Sequence, residues 1–156
     1  MTGKTTPMWD IIEIGPEQVN QIVPLFDAYR VFYRQSSNLQ EAHRFLLARL
    51  NRKESVIYAA TDPIGNAIGF TQLYPLFSST RMGKLWLLND LYIAPDFRGQ
   101  GISLLLIDRA KELARKTEAI GVLLETEKSN SIGNSLYPRA GFTLEDSTNY
   151  YFWHVD

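Results

Sequence analysis

Residues 90–103, Asp-Leu-Tyr-Ile-Ala-Pro-Asp-Phe-Arg-Gly-Gln-Gly-Ile-Ser, bring a carboxylate, a guanidinium and two glycines to the junction of an apolar run and an amphipathic one. That order predicts a strand running into a turn, and a turn that opens a helix. The first N–H groups of a helix lack backbone partners and carry the positive end of its dipole, so they attract anions. Gly99 and Gly101 clear side chains from the approach, and Arg98 adds positive charge beside it. On residue types alone the turn is either a phosphate or pyrophosphate site or a plain glycine-rich connection. Two familiar phosphate loops are excluded. Ile102-Ser103 stand where GxxxxGK[ST] needs its lysine and hydroxyl, and Leu104 stands where GxGxxG needs its last glycine.

A second segment follows one strand and one loop later. It reads Asn130-Ser-Ile-Gly133-Asn-Ser-Leu136-Tyr137-Pro-Arg-Ala-Gly141-Phe142. A tyrosine hydroxyl can protonate a leaving group, but on a short helix it can equally be a core aromatic. Taken together, the two segments resemble the GNAT family of N-acetyltransferases. The family's [RQ]xxGx[GA] motif is matched by Arg98, Gly101 and, with serine in the small position, Ser103. Its asparagine followed by a Leu-Tyr helix and Gly-Phe is matched by Asn130, Leu136, Tyr137, Gly141 and Phe142. The resemblance covers residues 84–145 strongly, and the first 80 residues match only in the order of elements.

The resemblance implies an acetyl-CoA-dependent enzyme. The backbone around Leu91, Tyr92 and Ile93 would meet the pantetheine, as in strand addition. Arg98, Gly99, Gln100, Gly101, Ile102, Ser103 and Leu104 would hold the pyrophosphate. Asn130 and Gly133 would approach the pantetheine from the other side, and Tyr137 would be the general acid for the leaving thiolate. A serine hydroxyl at position 103 could itself donate to a phosphate oxygen.

An alkylammonium has a pKa near 10 and must lose a proton before it attacks. The candidate bases are Asp90, reached through a water chain, and Glu125 or Glu127 near the end of the neighbouring strand. Several family members use a glutamate one position before Asp90, where this chain has Asn89. Tyr29, Arg30 and Tyr33 fall where the family's first helix borders the acceptor, with Asn89 and Glu125 as further substrate contacts. Tyr74 and Phe77 could also line that pocket. Gly69-Phe70 and Gly83 to Asp90 are similar to the diamine and thialysine acetyltransferase branch, which implies a primary amine of a small molecule. Arg30 and Asn89 replace acidic residues of that branch, which argues for an amino acid or simple alkylamine over a polyamine. A peptide-lysine acetyltransferase and a non-catalytic acyl-CoA sensor are the alternatives.

These residues need a scaffold, and the 156-residue length suits one domain, 1–156. Apolar residues make up 45% and charged residues 21% of it, the profile of a globular protein. The net charge of −1 argues against nucleic-acid binding. With no cysteine, thiol catalysis and zinc-thiolate sites are excluded, and His43 and His154 lack metal-ligand spacing, so no metal is expected. No run is long enough for a membrane span and no leader pattern is visible, so the expectation is a cytoplasmic protein with no membrane partner.

The periodicities predict strands at 9–14, 55–60, 67–74, 84–93 and 120–126, with short final strands at 143–144 and 150–155. Helices are predicted at 17–34 (bent at Pro24), 39–50, 101–116 and 130–140. Strand, helix, strand across 84–126 implies a parallel pair with a right-handed crossover. The fold class is α/β of the GNAT type: a mixed, mostly antiparallel sheet with a splayed central parallel pair and helices on both faces. The aromatic run Tyr150-Tyr-Phe-Trp-His suggests a homodimer that buries this last strand.

Overall fold

The computed structural model describes residues 8–156, which form two compact units, one extending to Glu125 and the other comprising Thr126–Asp156. The first unit contains β1 (Asp10–Glu13), a 3-10 turn (Pro16–Gln21), α1 (Val23–Phe32), α2 (Leu39–Asn51), β2 (Val56–Thr61), β3 (Ala67–Ser78), β4 (Gly83–Ile93), α3 (Ile102–Lys116) and β5 (Gly121–Leu124). The strands form one sheet in chain order, antiparallel from β1 to β4, with β5 parallel to β4.

Pro24 divides the predicted first helix. Without an N–H it is accommodated in the first turn of α1, so a separate 3-10 turn precedes it. Asn38 starts α2 by accepting from Glu41 N at 3.1 Å. Ile57, Ala59 and Phe70 pack with Val19, Ile22, Phe26 and Leu46 on the α1/α2 side. Alternate residues turn the other way. The Arg109 guanidinium of α3 lies 5.6 Å from the centre of the Tyr58 ring and donates to Ile11 O at 3.1 Å. Helices therefore cover both faces of a mixed five-stranded sheet.

The second unit contains α4 (Ser131–Arg139). The strands expected at 143–144 and 150–155 do not form. A run of aromatics suits a strand, but a strand exists only with a ladder partner, and these residues have none among the described residues. Tyr150, Tyr151, Phe152 and Trp153 are all exposed. No helix of the described residues is long and apolar enough to cross a membrane.

Candidate active site

The centre of the site is made by a fault in the β3–β4 ladder. Gln72 pairs with Asp90, but the next residue, Leu73, pairs with Leu88, so Asn89 is an extra residue bulged out of β4. The bulge reverses the strand's facing. Trp86 points to α3, where its Nε1 donates to Thr117 Oγ1 at 2.8 Å. Asp90 and Tyr92 instead lie opposite Gln72 and Phe70, on the α1 side. Asn89 and Asp90, which would face apart on a regular strand, are brought together, and Asn89 Nδ2 donates to Asp90 Oδ1 at 2.8 Å.

Asp90 is only 2% exposed. Its other carboxylate oxygen accepts from Gln72 Nε2 at 2.5 Å, and its backbone carbonyl accepts from Thr71 Oγ1 at 2.8 Å. Tyr29 reaches over from α1, donates to Asn89 O at 3.2 Å, and also interacts with the Asp90 carboxyl. Burial pushes Asp90 above the usual carboxylate range, against the opposing hydrogen bonds from Gln72, Asn89 and Tyr29. The phenols of Tyr29 and Tyr74 are both pushed up, first by burial and then by the Asp90 charge, so both stay neutral donors. The ring of Tyr33 packs edge-on to Tyr29 at 5.0 Å.

The parallel ladder to β5 covers only Leu85–Leu88. From Asn89 to Ile93, β3 is the only strand paired with β4 among the described residues. Ala94 N donates to Ile68 O at 2.8 Å, which sets the phase of the antiparallel ladder. By alternation, Leu91 and Ile93 direct their N–H and C=O groups away from β3, toward this open edge. Ile93 O accepts there from Arg98 Nε at 2.9 Å, and the Arg98 guanidinium lies 5.3 Å from the centre of the Tyr92 ring.

The loop after β4 fits an anion. Gly99 and Gly101 have φ of 76° and 79°, values that favour glycine, and no atom lies within 4 Å of where their Cβ would be. Gly101 begins the 15-residue α3 without any side-chain cap, so no side chain occupies the helix's leading N–H groups. Ile102 is buried and anchors the turn, while Gln100 is exposed and Ser103 and Leu104 are half-buried.

In the second unit Asn130 caps α4. Its Oδ1 accepts from Gly133 N at 3.0 Å and its Nδ2 donates to Thr126 Oγ1 at 2.9 Å. A side chain at Gly133 would collide with Asn130 and touch the Tyr137 ring. Tyr137 packs edge-on to Phe142 at 6.0 Å.

The GNAT acetyltransferase family model matches residues 20–142, which contain both motifs and the bulge. The chain belongs to the GNAT family. It is 46% identical over 134 residues to the uncharacterized N-acetyltransferase YhfO of Bacillus subtilis (strain 168), covering 86% of this chain and 89% of that one. The crystal structure of a probable acetyltransferase superposes with a TM-score of 0.89 at 35% identity, covering 94% and 98% of the two chains. A thialysine N-epsilon-acetyltransferase of Bos taurus is 29% identical over 99 residues, 64% of this chain and 57% of its own. This GNAT chain is therefore an acyltransferase, and enzymes of its family use acetyl-CoA.

Within the GNAT domain the structure brings Tyr29 and Asn89 to the Asp90 carboxyl, with Tyr33 packed against Tyr29. It turns Arg30 elsewhere. Arg30 Nη1 donates to Ser36 O at 3.1 Å and lies 3.8 Å from the Asp27 carboxylate. Glu125 and Glu127 are exposed beyond the end of β5. The capping role of Asn130 uses both polar atoms of its side chain. Gln72 escaped the sequence reading. Its signal was a single amide inside the mostly apolar stretch from Ile68 to Leu76, a placement that buries a polar group and requires a partner.

Proposed function

We propose that the enzyme acetylates a primary amine of a small molecule, an amino acid or alkylamine, with Asp90 as the base and Tyr137 as the acid. The observation that carries this reading is the Asp90 carboxyl, buried at a bulge beside an open strand edge. Acetyl-CoA supplies an acetyl thioester, and the Leu91–Ile93 edge and the 98–104 loop are its binding surfaces in this reading. The open glycine loop, the uncapped α3 and Arg98 suit its pyrophosphate.

An alkylammonium must give up a proton, and a carboxyl raised toward neutrality is a better match for that task than an ordinary aspartate. Asp90 is too buried to touch a substrate directly. The half-buried Tyr29 hydroxyl passes the proton, accepting one as it releases its own toward Asp90, and never needs to ionise. Tyr137, placed by its motif, returns a proton to the departing thiolate. The groups bonded to Asp90 are amides and a phenol, with no second carboxylate among them, which suits an acceptor with one positive charge. The likeness to the thialysine enzyme points the same way. The exposed aromatics from Tyr150 to Trp153 support a homodimer, checked by light scattering at micromolar concentration. The decisive test is thiol release from acetyl-CoA across lysine, thialysine, simple alkylamines, polyamines and a basic peptide. Turnover only with the peptide would reject the small-molecule reading.

A further inference from the structure

Gln72 is fully buried, yet only half of its amide is used. Nε2 donates to Asp90 Oδ2, while Oε1 has no hydrogen-bond partner among the described residues. A buried acceptor left without a donor is destabilising and calls for an explanation. The groups acting on Asp90 come from every neighbouring element: Asn89 on its own strand, Tyr29 from α1, and Gln72 and Tyr74 from β3. Tyr33 acts on Tyr29, and the positive charge of Arg49 from α2 acts on Tyr74. The bonds from Asn89 and Gln72 are both donations, and both serve the ionised carboxylate. A carboxyl that has taken up a proton also needs an acceptor for its new O–H, and the unused oxygen of Gln72 is half a turn of one side-chain torsion away.

We propose that Gln72 is the positioning residue of Asp90, its terminal amide holding the carboxyl in both protonation states. Nε2 donates to Oδ2 when Asp90 is ionised. With the amide turned over, Oε1 accepts the O–H of the protonated acid. No covalent bond changes on Gln72, and only the hydrogen bond reverses. The unused Oε1 is then the acceptor reserved for the second state. The register fixes this pairing, because Gln72 stands directly across from Asp90 at the bulge. The catalytic consequence rests on Asp90 being the base. The coupling itself is a property of the ligand-free protein.

Gln72→Met keeps length and volume but neither donates nor accepts through an amide. Carbon-13 NMR of the Asp90 carboxyl in the ligand-free variant is expected to show its midpoint up to about one pH unit higher, since the charge-assisted donation lost from the ionised form is worth more than the bond lost from the protonated acid. Tm should fall only slightly, because the unsatisfied Oε1 leaves the core while Asp90 Oδ2 loses one donor. An unmoved midpoint overturns the proposal. Gln72→Glu is the second variant. Two touching carboxyls should titrate in two coupled steps, and two independent midpoints would overturn the contact. The acidic limb of kcat/KM should follow the NMR midpoint. If the midpoint moves and the limb does not, the positioning role stands and Asp90 is not the base.

Discussion

Trp86 and Asp90 stand four residues apart on β4 and face opposite sides of the sheet, one bonded to Thr117 at the end of α3 and the other to Gln72 on the α1 side. On a regular strand residues of equal parity share a face. The extra residue, Asn89, is what separates them. The same irregularity coincides with the end of the β4–β5 ladder at Leu88 and Leu124, so the turned carboxyl and the open strand edge arise at one point of the chain.

Asp90→Asn should lower kcat/KM by about 10²- to 10⁴-fold, the range for loss of a general base. Stability should respond in the opposite sense. The folded pKa of Asp90 is raised by burial, so the native state keeps a proton that the unfolded chain has released. Stability is then fullest below the ordinary aspartate value of about 3.9 and falls as pH climbs from there toward the raised value. The variant has no such loss and should melt at or above the wild-type temperature at neutral pH. Melts at pH 4 and pH 7.5 that show the wild type gaining stability with pH from this residue would contradict the assignment.

Much of this site is legible in residue order. Arg98, the two glycines and the helix after them announce a glycine turn with an uncapped helix start, because these are local features. Asn130 and Tyr137 stand out for the same reason. The bulge is not local. Asn89-Asp90 reads as two strand residues, and only the register against Gln72 and Leu73 shows that one of them is extra. The partners of Arg30 were not legible either, because Asp27 lies one turn earlier on α1 and Ser36 in the loop that follows it. The tail from Tyr150 to Val155 has strand composition without strand structure, since pairing depends on another element and not on composition.

Arg98→Glu should weaken acetyl-CoA binding by about ten- to a hundredfold, the value of a charge-assisted contact turned repulsive. In the ligand-free protein the cost is smaller. Arg98 also bonds Ile93 O and covers Tyr92, so about 1 kcal/mol and about 2–4 °C of Tm should be lost. The check is thermal shift with acetyl-CoA. Ligand at 100 times Kd stabilises the wild type by about 2.7 kcal/mol, and the variant should gain far less at the same concentration. Equal stabilisation of the wild type by ATP or NADH would remove residues 98–104 from the cofactor role.

Tyr137→Phe preserves the packing against Phe142 and Gly133 and deletes only the hydroxyl. Turnover should fall by about 10- to 1,000-fold with KM for acetyl-CoA nearly unchanged, the pattern of an interaction made in the transition state alone. Stopped-flow thiol detection separates this from slow product release. Unchanged kcat would assign thiolate protonation to another group or to water.

The acceptor preference follows from charge. One buried carboxyl, held by two amides and a phenol, can serve one ammonium. A second positive charge on a polyamine would find no partner among the groups bonded to Asp90, and Arg30 is engaged with Asp27 and Ser36. Lysine or thialysine, whose second ammonium is balanced by their own carboxylate, should therefore be acetylated with a kcat/KM at least about tenfold above that of spermidine, roughly the 1.4 kcal/mol that one unpaired charge can be expected to forfeit. Because the difference is one of substrate charge, it should shrink as ionic strength rises and screening grows. A spermidine kcat/KM well above that for lysine at low salt would reverse the preference. Glu125 and Glu127, exposed beyond β5, would then be the carboxylates to replace first, and their alanine variants would have to lose spermidine activity while keeping that toward lysine.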